Sequence, residues 1–545
     1  MGGLLLSFVF EACLIPRPKM PFSRPLSALG VHVGIWLIAY GIELALFQRP
    51  IFAVVNVLAL QSVIVLVSNV KYRTLREPFV YPDFEYFLDA IRHPRLYLPF
   101  FGRTKAAAAG GAYGFALWGG LALEESLTGV TGLWALSFSE WIEEDAIDFS
   151  SILVSFWILT SVIVGIGVLI VMYCRRHSDG MQVTFDASTD LKRLGLFMAL
   201  FAYRREERRP IFFSPTQGRF AQNQPIGDNR ALAADKSLPD IVVIQSESFF
   251  DARRVFPSIR SEVLSGFDVL KGEAIAHGPL RVAAWGANTV RTEFAMLSGL
   301  PPESLGVHRF NPYRRLARSG VSTLASYLRG LGYRTICVHP YPDSFYGRNV
   351  VFPKLGFDAF LDIRQFEGVE HFGPYVSDAA VADFVKRELT DDGRREQPLF
   401  IFVITMENHG PLHWEKVSRS DREHLFTKPP VDSCNDLVAY VRHLENADHM
   451  FKSIASVLAS MSRPSVMCVY GDHVPIMPKV YELMGEPDGQ TDYLIWRPDA
   501  AANADNAFSI SNDSPGESAI AVNDLAALVL DAAGIRRPLC ANTSD

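Results

Sequence analysis

Cysteine is scarce in this chain. Six are scattered over 545 residues with no C-x-x-C pair, which supports neither a disulfide framework nor a cysteine zinc cluster. Cys337 and Cys468 fall inside apolar β-type runs and read as buried free thiols. There is no Gly-x4-Gly-Lys-Ser/Thr phosphate loop and no internal repeat. Excess positive charge is also missing. The formal net charge of −7 leaves no basic surface of the kind that neutralises nucleic-acid phosphates.

What is present is unevenly distributed. Hydrophobic residues make up 49% of the chain and charged residues 20%. A chain of this length exceeds a single core, so a very apolar region joined to an ordinary soluble one is expected. Residues 26–47, 51–70, 106–123 and 152–174 are each close to the ~20 residues that span a bilayer. The run 4–15 is shorter and reads as a further crossing or an interfacial segment. The expected division is a transmembrane helical domain of four to five helices over 1–175, a juxtamembrane linker over 176–238, and a catalytic domain over 239–545.

Charge placement suggests an orientation. Arg17, Lys19 and Arg24 precede the second run, and the loop 71–105 carries seven further Lys and Arg among many aromatics. The loop before Ile152 holds acids and no Lys or Arg. The positive-inside rule puts the first two loops in the cytoplasm and the third outside. Four crossings would then leave the soluble half cytoplasmic, unless a short stretch such as 127–138 or 194–203 also crosses.

From Pro239 onward, apolar β-type runs alternate with helical patterns, the signature of an α/β domain with a mostly parallel sheet. Four runs end in an acid or a histidine: PDIVVIQSE at Glu247, YRTICVH at His339, LFIFVITMENH at His409, and SVMCVYGDH at Asp472 and His473. Open α/β sheets bind ligands just beyond the carboxyl ends of their strands. A carboxylate directly after a buried strand needs a compensating positive charge. Adjacent Asp and His offer an oxygen and a nitrogen that suit Zn²⁺ or Mn²⁺. Thr289, in W-G-A-N-T-V-R-T-E-F, falls where a loop gives way to a helix, a position that favours bound phosphate or sulfate. A hydroxyl beside a divalent ion can become a nucleophile. Arg348 suits bidentate phosphate binding, Tyr346 can pack against glycerol or sugar, and His409 in a Gly/Pro turn can carry a proton. His308, His413, His443 and His449 lack such context and read as surface or packing residues. Asp251 and Glu407 read as groups behind the ligands or facing away.

These motifs resemble the lipoteichoic acid synthase and phosphoglycerol transferase group of the alkaline phosphatase–sulfatase superfamily. The resemblance runs over roughly 239–538. It rests on I-V-V-I-Q-S-E-S, G-A-N-T-V-R-T-E-F, F-Y-G-R-N-V-V-F-P-K-L-G-F and G-D-H-V-P. It implies an alkaline phosphatase/sulfatase-like α/β domain behind a multi-pass membrane anchor, with the catalytic domain extracytoplasmic at a bacterial inner membrane. It further implies one divalent ion, Mn²⁺ ahead of Mg²⁺ or Zn²⁺, held by Glu247, Thr289, Asp472 and His473. Thr289 would be the nucleophile, with Arg348, His409, Tyr346 and His339 facing substrate. The implied donor is phosphatidylglycerol and the acceptor a cell-envelope glycan. Phosphoethanolamine transfer, and phosphodiester or sulfate-ester hydrolysis, are the related alternatives; a non-catalytic membrane scaffold or sensor is the unrelated one. Arg291 replaces a commonly acidic position, and Tyr346 replaces Trp. The Cys/Ser-x-Pro-x-Arg signature of sulfate-ester hydrolases is missing around Thr289.

Overall fold

The computed structural model describes residues 1–85, 103–128, 146–177, 182–209, 219–220, 238–390, 397–499 and 519–538. Residues 86–102 of the loop 71–105, the stretch 129–145 and most of the segment 204–238 lie outside the described residues. The chain divides into two compact units, 1–209 and 210–545.

The first unit is helical: α1 (Gly2–Glu11), α2 (Leu26–Phe47), α3 (Pro50–Leu75), α4 (Arg103–Leu123), α5 (Ala146–Arg176), α6 (Ala187–Leu194) and α7 (Leu196–Glu207). Among the described residues, Leu26–Phe47, Pro50–Leu75 and Ile152–Arg176 are long and apolar enough to cross a membrane. Helix α4 covers the apolar run 106–123, and Tyr113–Leu123 within it is a shorter apolar stretch among the described residues. Large apolar side chains of α5, such as Val154, Ile158 and Leu169, are exposed, which suits a lipid-facing helix. Helices α2 and α5 meet through small residues. A side chain at Gly30 would strike Cys174, one at Gly34 would strike Val171, and one at Gly41 would strike Val164. The descending partner numbers make the pair antiparallel, and the missing side chains let the backbones approach closely.

The stretch 194–203 does not form a span. It bends at Gly195, and α7 packs its Met198 and Ala202 against Ala28, Val31 and Cys174. Twelve residues of helix reach about 18 Å, well short of a hydrocarbon core of about 30 Å. The start of α2 and the end of α5 therefore lie beside each other, both in contact with α7. Residues 11–24 join them there, since Lys19 N donates to Lys192 O and Arg24 pairs with Glu11.

The second unit holds an eight-stranded sheet in the order β10-β2-β9-β8-β1-β7-β3-β4. Its strands are β1 (Asp240–Ser246), β2 (Ala276–Arg281), β3 (Arg334–Val338), β4 (Ala359–Leu361), β7 (Leu399–Ile404), β8 (Ser465–Gly471), β9 (Thr491–Trp496) and β10 (Ile520–Ala521). A separate hairpin pairs β5 (His371–Phe372) with β6 (Tyr375–Val376). Strands β8, β1, β7, β3 and β4 are mutually parallel, whereas β9 runs antiparallel to both β8 and β2. The central strands are continuous apolar runs because helices cover both faces. Val242 and Ile244 point into one core, with α9 (Asp378–Thr390) and α10 (Asn435–Ser460). Ile241 and Val243 point into the other, with α8 (Thr289–Ser298) and α11 (Val522–Ala532). Cys337 and Cys468 are free and fully buried.

Candidate active site at the strand ends

Because β8, β1, β7 and β3 are adjacent and parallel, the residues that follow them emerge at a single edge. Glu247 follows β1, in the middle. Its backbone N–H donates to Thr405 Oγ1 from the β7 side at 2.9 Å. Ser248 N donates to Asp472 Oδ1 from the β8 side at 2.9 Å, and Ser248 Oγ donates to Glu247 Oε1 at 3.0 Å. Ser248 occupies the left-handed region at φ 55°, a conformation that costs a non-glycine residue energy and persists where neighbours over-determine it. Tyr440 supplies one such restraint by donating to the Ser248 carbonyl at 2.8 Å. Gly471 is required for a different reason: a Cβ there would collide with the Phe249 carbonyl.

Glu247, Asp472 and His473 are all buried, and one potential ligand atom from each lies within 4.8 Å of the others. His473 Nε2 is 3.3 Å from Asp472 Oδ2 and 3.5 Å from Glu247 Oε1. Asp472 Oδ2 is buried without a hydrogen-bond partner among the described residues. Burial first, and the neighbouring Asp472 charge second, push the Glu247 carboxyl well above its usual range. Two desolvated carboxylates facing each other, with one oxygen left open, fit a divalent cation held by two oxygens and an imidazole nitrogen.

Thr289 is the first residue of α8 and is half-buried. The loop reaches it through left-handed Gly286 (φ 69°) and Asn288 (φ 65°), residue types that tolerate that region. The same helix is tied to the ligand strand, since Thr292 Oγ1 donates to the Asp472 carbonyl at 2.9 Å. Arg291 turns elsewhere, its Nε donating to the Phe310 carbonyl.

Arg348 is fully buried. Its Nη2 donates to Glu293 Oε2 at 2.9 Å and its Nε to Glu293 Oε1 at 3.3 Å. Its Nη1 lies 3.2 Å from His339 Nε2. His339 Nδ1 faces the Ile404 carbonyl at 3.1 Å, so that nitrogen carries the proton and Nε2 accepts from Arg348. Burial, reinforced by the Arg348 charge, holds His339 neutral with its pKa well below the usual value. His339 thus sits behind Arg348 with both ring nitrogens engaged. Tyr346 is half-buried, and the Arg348 guanidinium lies 5.3 Å from its ring centroid. The positive field of Arg348 also reaches Glu247.

His409 is partly exposed in the loop after β7. Its Nδ1 is 2.7 Å from the Gly410 carbonyl and 3.2 Å from the Tyr375 hydroxyl. The carbonyl can only accept, so Nδ1 bears the proton and Nε2 remains open for another. Burial lowers the His409 pKa, the hydrogen bond to the Gly410 carbonyl and then the Asp472 charge raise it, and burial prevails. Asp251 pairs with Arg253, and Glu407 pairs with His443. His308, in the turn Pro302–Phe310, is held below its usual pKa, by burial and then by Arg315 and Arg314.

Sequence reasoning passed over Glu293, Thr405 and Tyr375. Glu293 left a faint signal, one helical turn after Thr289 in a segment otherwise apolar enough to be buried; a buried carboxylate there calls for a cation. Thr405 and Tyr375 left none, because their roles depend on which strands are neighbours.

The chain matches the sulfatase family over residues 239–535. A capsular polysaccharide biosynthesis protein, RkpI, of Rhizobium meliloti (strain 1021) is 36% identical over 265 residues, 48% of this chain and 46% of that one. The chain spans about half the length, or less, of the curated relatives it matches. Among solved structures, a Streptococcus pyogenes phosphoglycerol transferase, GacH, is similar with 22% identity and a TM-score of 0.43, over 56% of this chain and 78% of that one. The Neisseria meningitidis lipooligosaccharide phosphoethanolamine transferase A is similar with 13% identity and a TM-score of 0.47, over 94% of this chain and 99% of that one. With more than half its length matched and a mostly parallel α/β sheet, this chain belongs to the sulfatase family of alkaline phosphatase-like proteins.

Proposed function

We propose that this protein is a membrane-anchored transferase that moves phosphoglycerol from phosphatidylglycerol to a cell-envelope glycan through a phosphorylated Thr289. The observation that carries the proposal is the buried Glu247–Asp472–His473 trio with an open carboxylate oxygen, fastened to the helix that begins at Thr289.

Glu247, Asp472 and His473 would hold one divalent ion, with Thr289 as the fourth protein ligand. When bound, the ion supplies positive charge that makes the hydroxyl beside it more acidic and offsets phosphoryl charge. Thr289 Oγ then bonds to phosphorus as the bond from phosphorus to the diacylglycerol oxygen breaks. The Thr289 proton ends on that leaving oxygen, carried by His409 Nε2. In the second half a glycan hydroxyl bonds to phosphorus, Thr289 Oγ departs, and the hydroxyl proton returns to it. Arg348, oriented by Glu293 and His339, neutralises the phosphoryl oxygens with its remaining N–H groups. Tyr346 packs against the glycerol. A hydrophobic anchor suits this chemistry because the donor lipid never has to leave the bilayer. The name of the RkpI relative supports a saccharide acceptor. We assign the catalytic unit to the outside of the cytoplasm, where such acceptors are found, against the orientation that the positive-inside rule gives for four crossings.

The full chain in lipid nanodiscs, given headgroup-labelled phosphatidylglycerol and phosphatidylethanolamine side by side, tests the reading. The expected result is a label from phosphatidylglycerol trapped on Thr289 and released to added glycan. Label from phosphatidylethanolamine would reassign the donor, and release to water without glycan would make the protein a hydrolase. Undiminished transfer by Thr289→Ala would sink the proposal.

A further inference from the structure

The segment of residues 407–415 carries His409 and is gripped at both ends by one side chain. His443, on α10, is fully buried. Its Nδ1 is 2.8 Å from Glu407 Oε1, and its Nε2 is 2.9 and 3.0 Å from the two oxygens of Glu415. An ionised carboxylate only accepts hydrogen bonds, so a ring flanked by two of them donates from both nitrogens as an imidazolium. The carboxylates address opposite ring nitrogens, which makes the group a bridge and not an ion cradle.

The surroundings reinforce the bridge. From α10 itself, Asn446 Nδ2 donates to Glu407 Oε1 at 2.6 Å, and Arg442 Nη2 to Glu415 Oε2 at 2.8 Å. Arg442 also reaches Asp421 at 3.1 Å. From α9, the Asp378 amide donates to Glu407 Oε2 at 2.6 Å. The Asp378 carboxyl is raised well above its usual range by burial and then by the Glu407 charge. The Phe372 ring from β5 packs edge-on against the imidazole, its centroid 5.4 Å away. Burial alone would lower the His443 pKa, but Glu407 and Glu415 outweigh it and raise the group to about 9.

We propose that His443 is a positioning residue, which by bridging Glu407 and Glu415 holds the loop 407–415 and with it the proton-carrying His409 in place. This rests on the role given to His409 above. Since the folded pKa lies above the unfolded value of ~6.5, the bridge is complete below that pH and is lost as pH rises through about 9. The transfer rate therefore acquires an alkaline limb near that value.

The test compares the full chain with His443→Gln, Glu415→Gln, His409→Ala and the double variant His409→Ala/His443→Gln. Amide hydrogen exchange over residues 407–415 is read alongside kcat and KM. The expected result for His443→Gln is faster exchange in that loop and a kcat reduced roughly 10- to 100-fold, as a small misplacement of a reacting group produces. KM changes little, the alkaline limb disappears, and the double variant is no slower than His409→Ala. Unchanged loop exchange and kcat, or fully additive losses in the double variant, would overturn the proposal. If His443→Gln does not fold, Glu415→Gln removes one end of the bridge and is expected to show the same pattern at smaller size. If the wild-type chain transfers from no lipid donor, the functional reading fails, and loop exchange in His443→Gln still decides the positioning role.

Discussion

Thr292 Oγ1 on α8 donates to the backbone carbonyl of Asp472 at 2.9 Å. One hydrogen bond thus fastens the helix that begins at Thr289 to the strand end that supplies two of the three candidate ligands. Removing it leaves a buried carbonyl unsatisfied, which costs about 1–3 kcal/mol. Thr292→Val is expected to lower thermal stability by that order and to slow transfer without abolishing it. Thr289→Ala is expected to leave stability nearly unchanged and to remove transfer. Melting curves and labelled-lipid transfer separate the two effects.

Asp472→Asn keeps the shape of the side chain while removing its charge. The variant is expected to lose most of its bound divalent metal, as measured by elemental analysis of the purified protein. It should also be less sensitive than wild type to chelator in a thermal-shift assay. Metal content equal to wild type would show that the trio is not the metal site.

Glu293 and Arg348 form a buried, doubly hydrogen-bonded pair, and Tyr313 also donates to Glu293. Breaking such a pair strands a charge in the interior at a cost of about 3–5 kcal/mol. Glu293→Ala is therefore expected to destabilise the catalytic unit more than Tyr346→Ala, whose ring is half-exposed. Chemical denaturation of the two variants gives the comparison. Arg348→Lys should retain part of the stability and little transfer, because an ammonium cannot satisfy Glu293 and a phosphoryl group in the same planar arrangement.

His339 is held neutral in the folded protein with a depressed pKa. The unfolded chain binds more protons below pH ~6.5, so stability falls as pH drops beneath that value, by up to about 1.4 kcal/mol per pH unit for this group. Above that pH the contribution is constant. Denaturation midpoints from pH 8 to pH 5 should show a shallower decline in His339→Gln than in wild type. Parallel declines would assign the acid sensitivity to other groups.

Several features were legible in the linear chain. The continuous apolar run of Ile241–Ile244 marked a strand covered on both faces, and the acid or histidine after each such run marked the sheet edge. Gly286 and Asn288 marked the loop before Thr289, since few other residues accept their backbone angles. The short apolar stretch 194–203 left the number of crossings open in the sequence, and its packing against α2 and α5 leaves no linear trace. His443 also read as an ordinary histidine, since its two carboxylate partners lie 36 and 28 positions away.

The sequence by itself determined the two-part character of the protein, the strand ends that bear its candidate ligands and the threonine that opens α8. Those depend on local pattern: apolar length, strand alternation and turn residues. Only the tertiary structure decided that β8, β1, β7 and β3 are neighbours, that Asp472 keeps one oxygen open, that Arg348 is braced by Glu293 and His339, and that His443 bridges both ends of the His409 loop. These relations join residues far apart in the chain, and pairing across a sheet or through a buried charge leaves no periodic trace in the sequence.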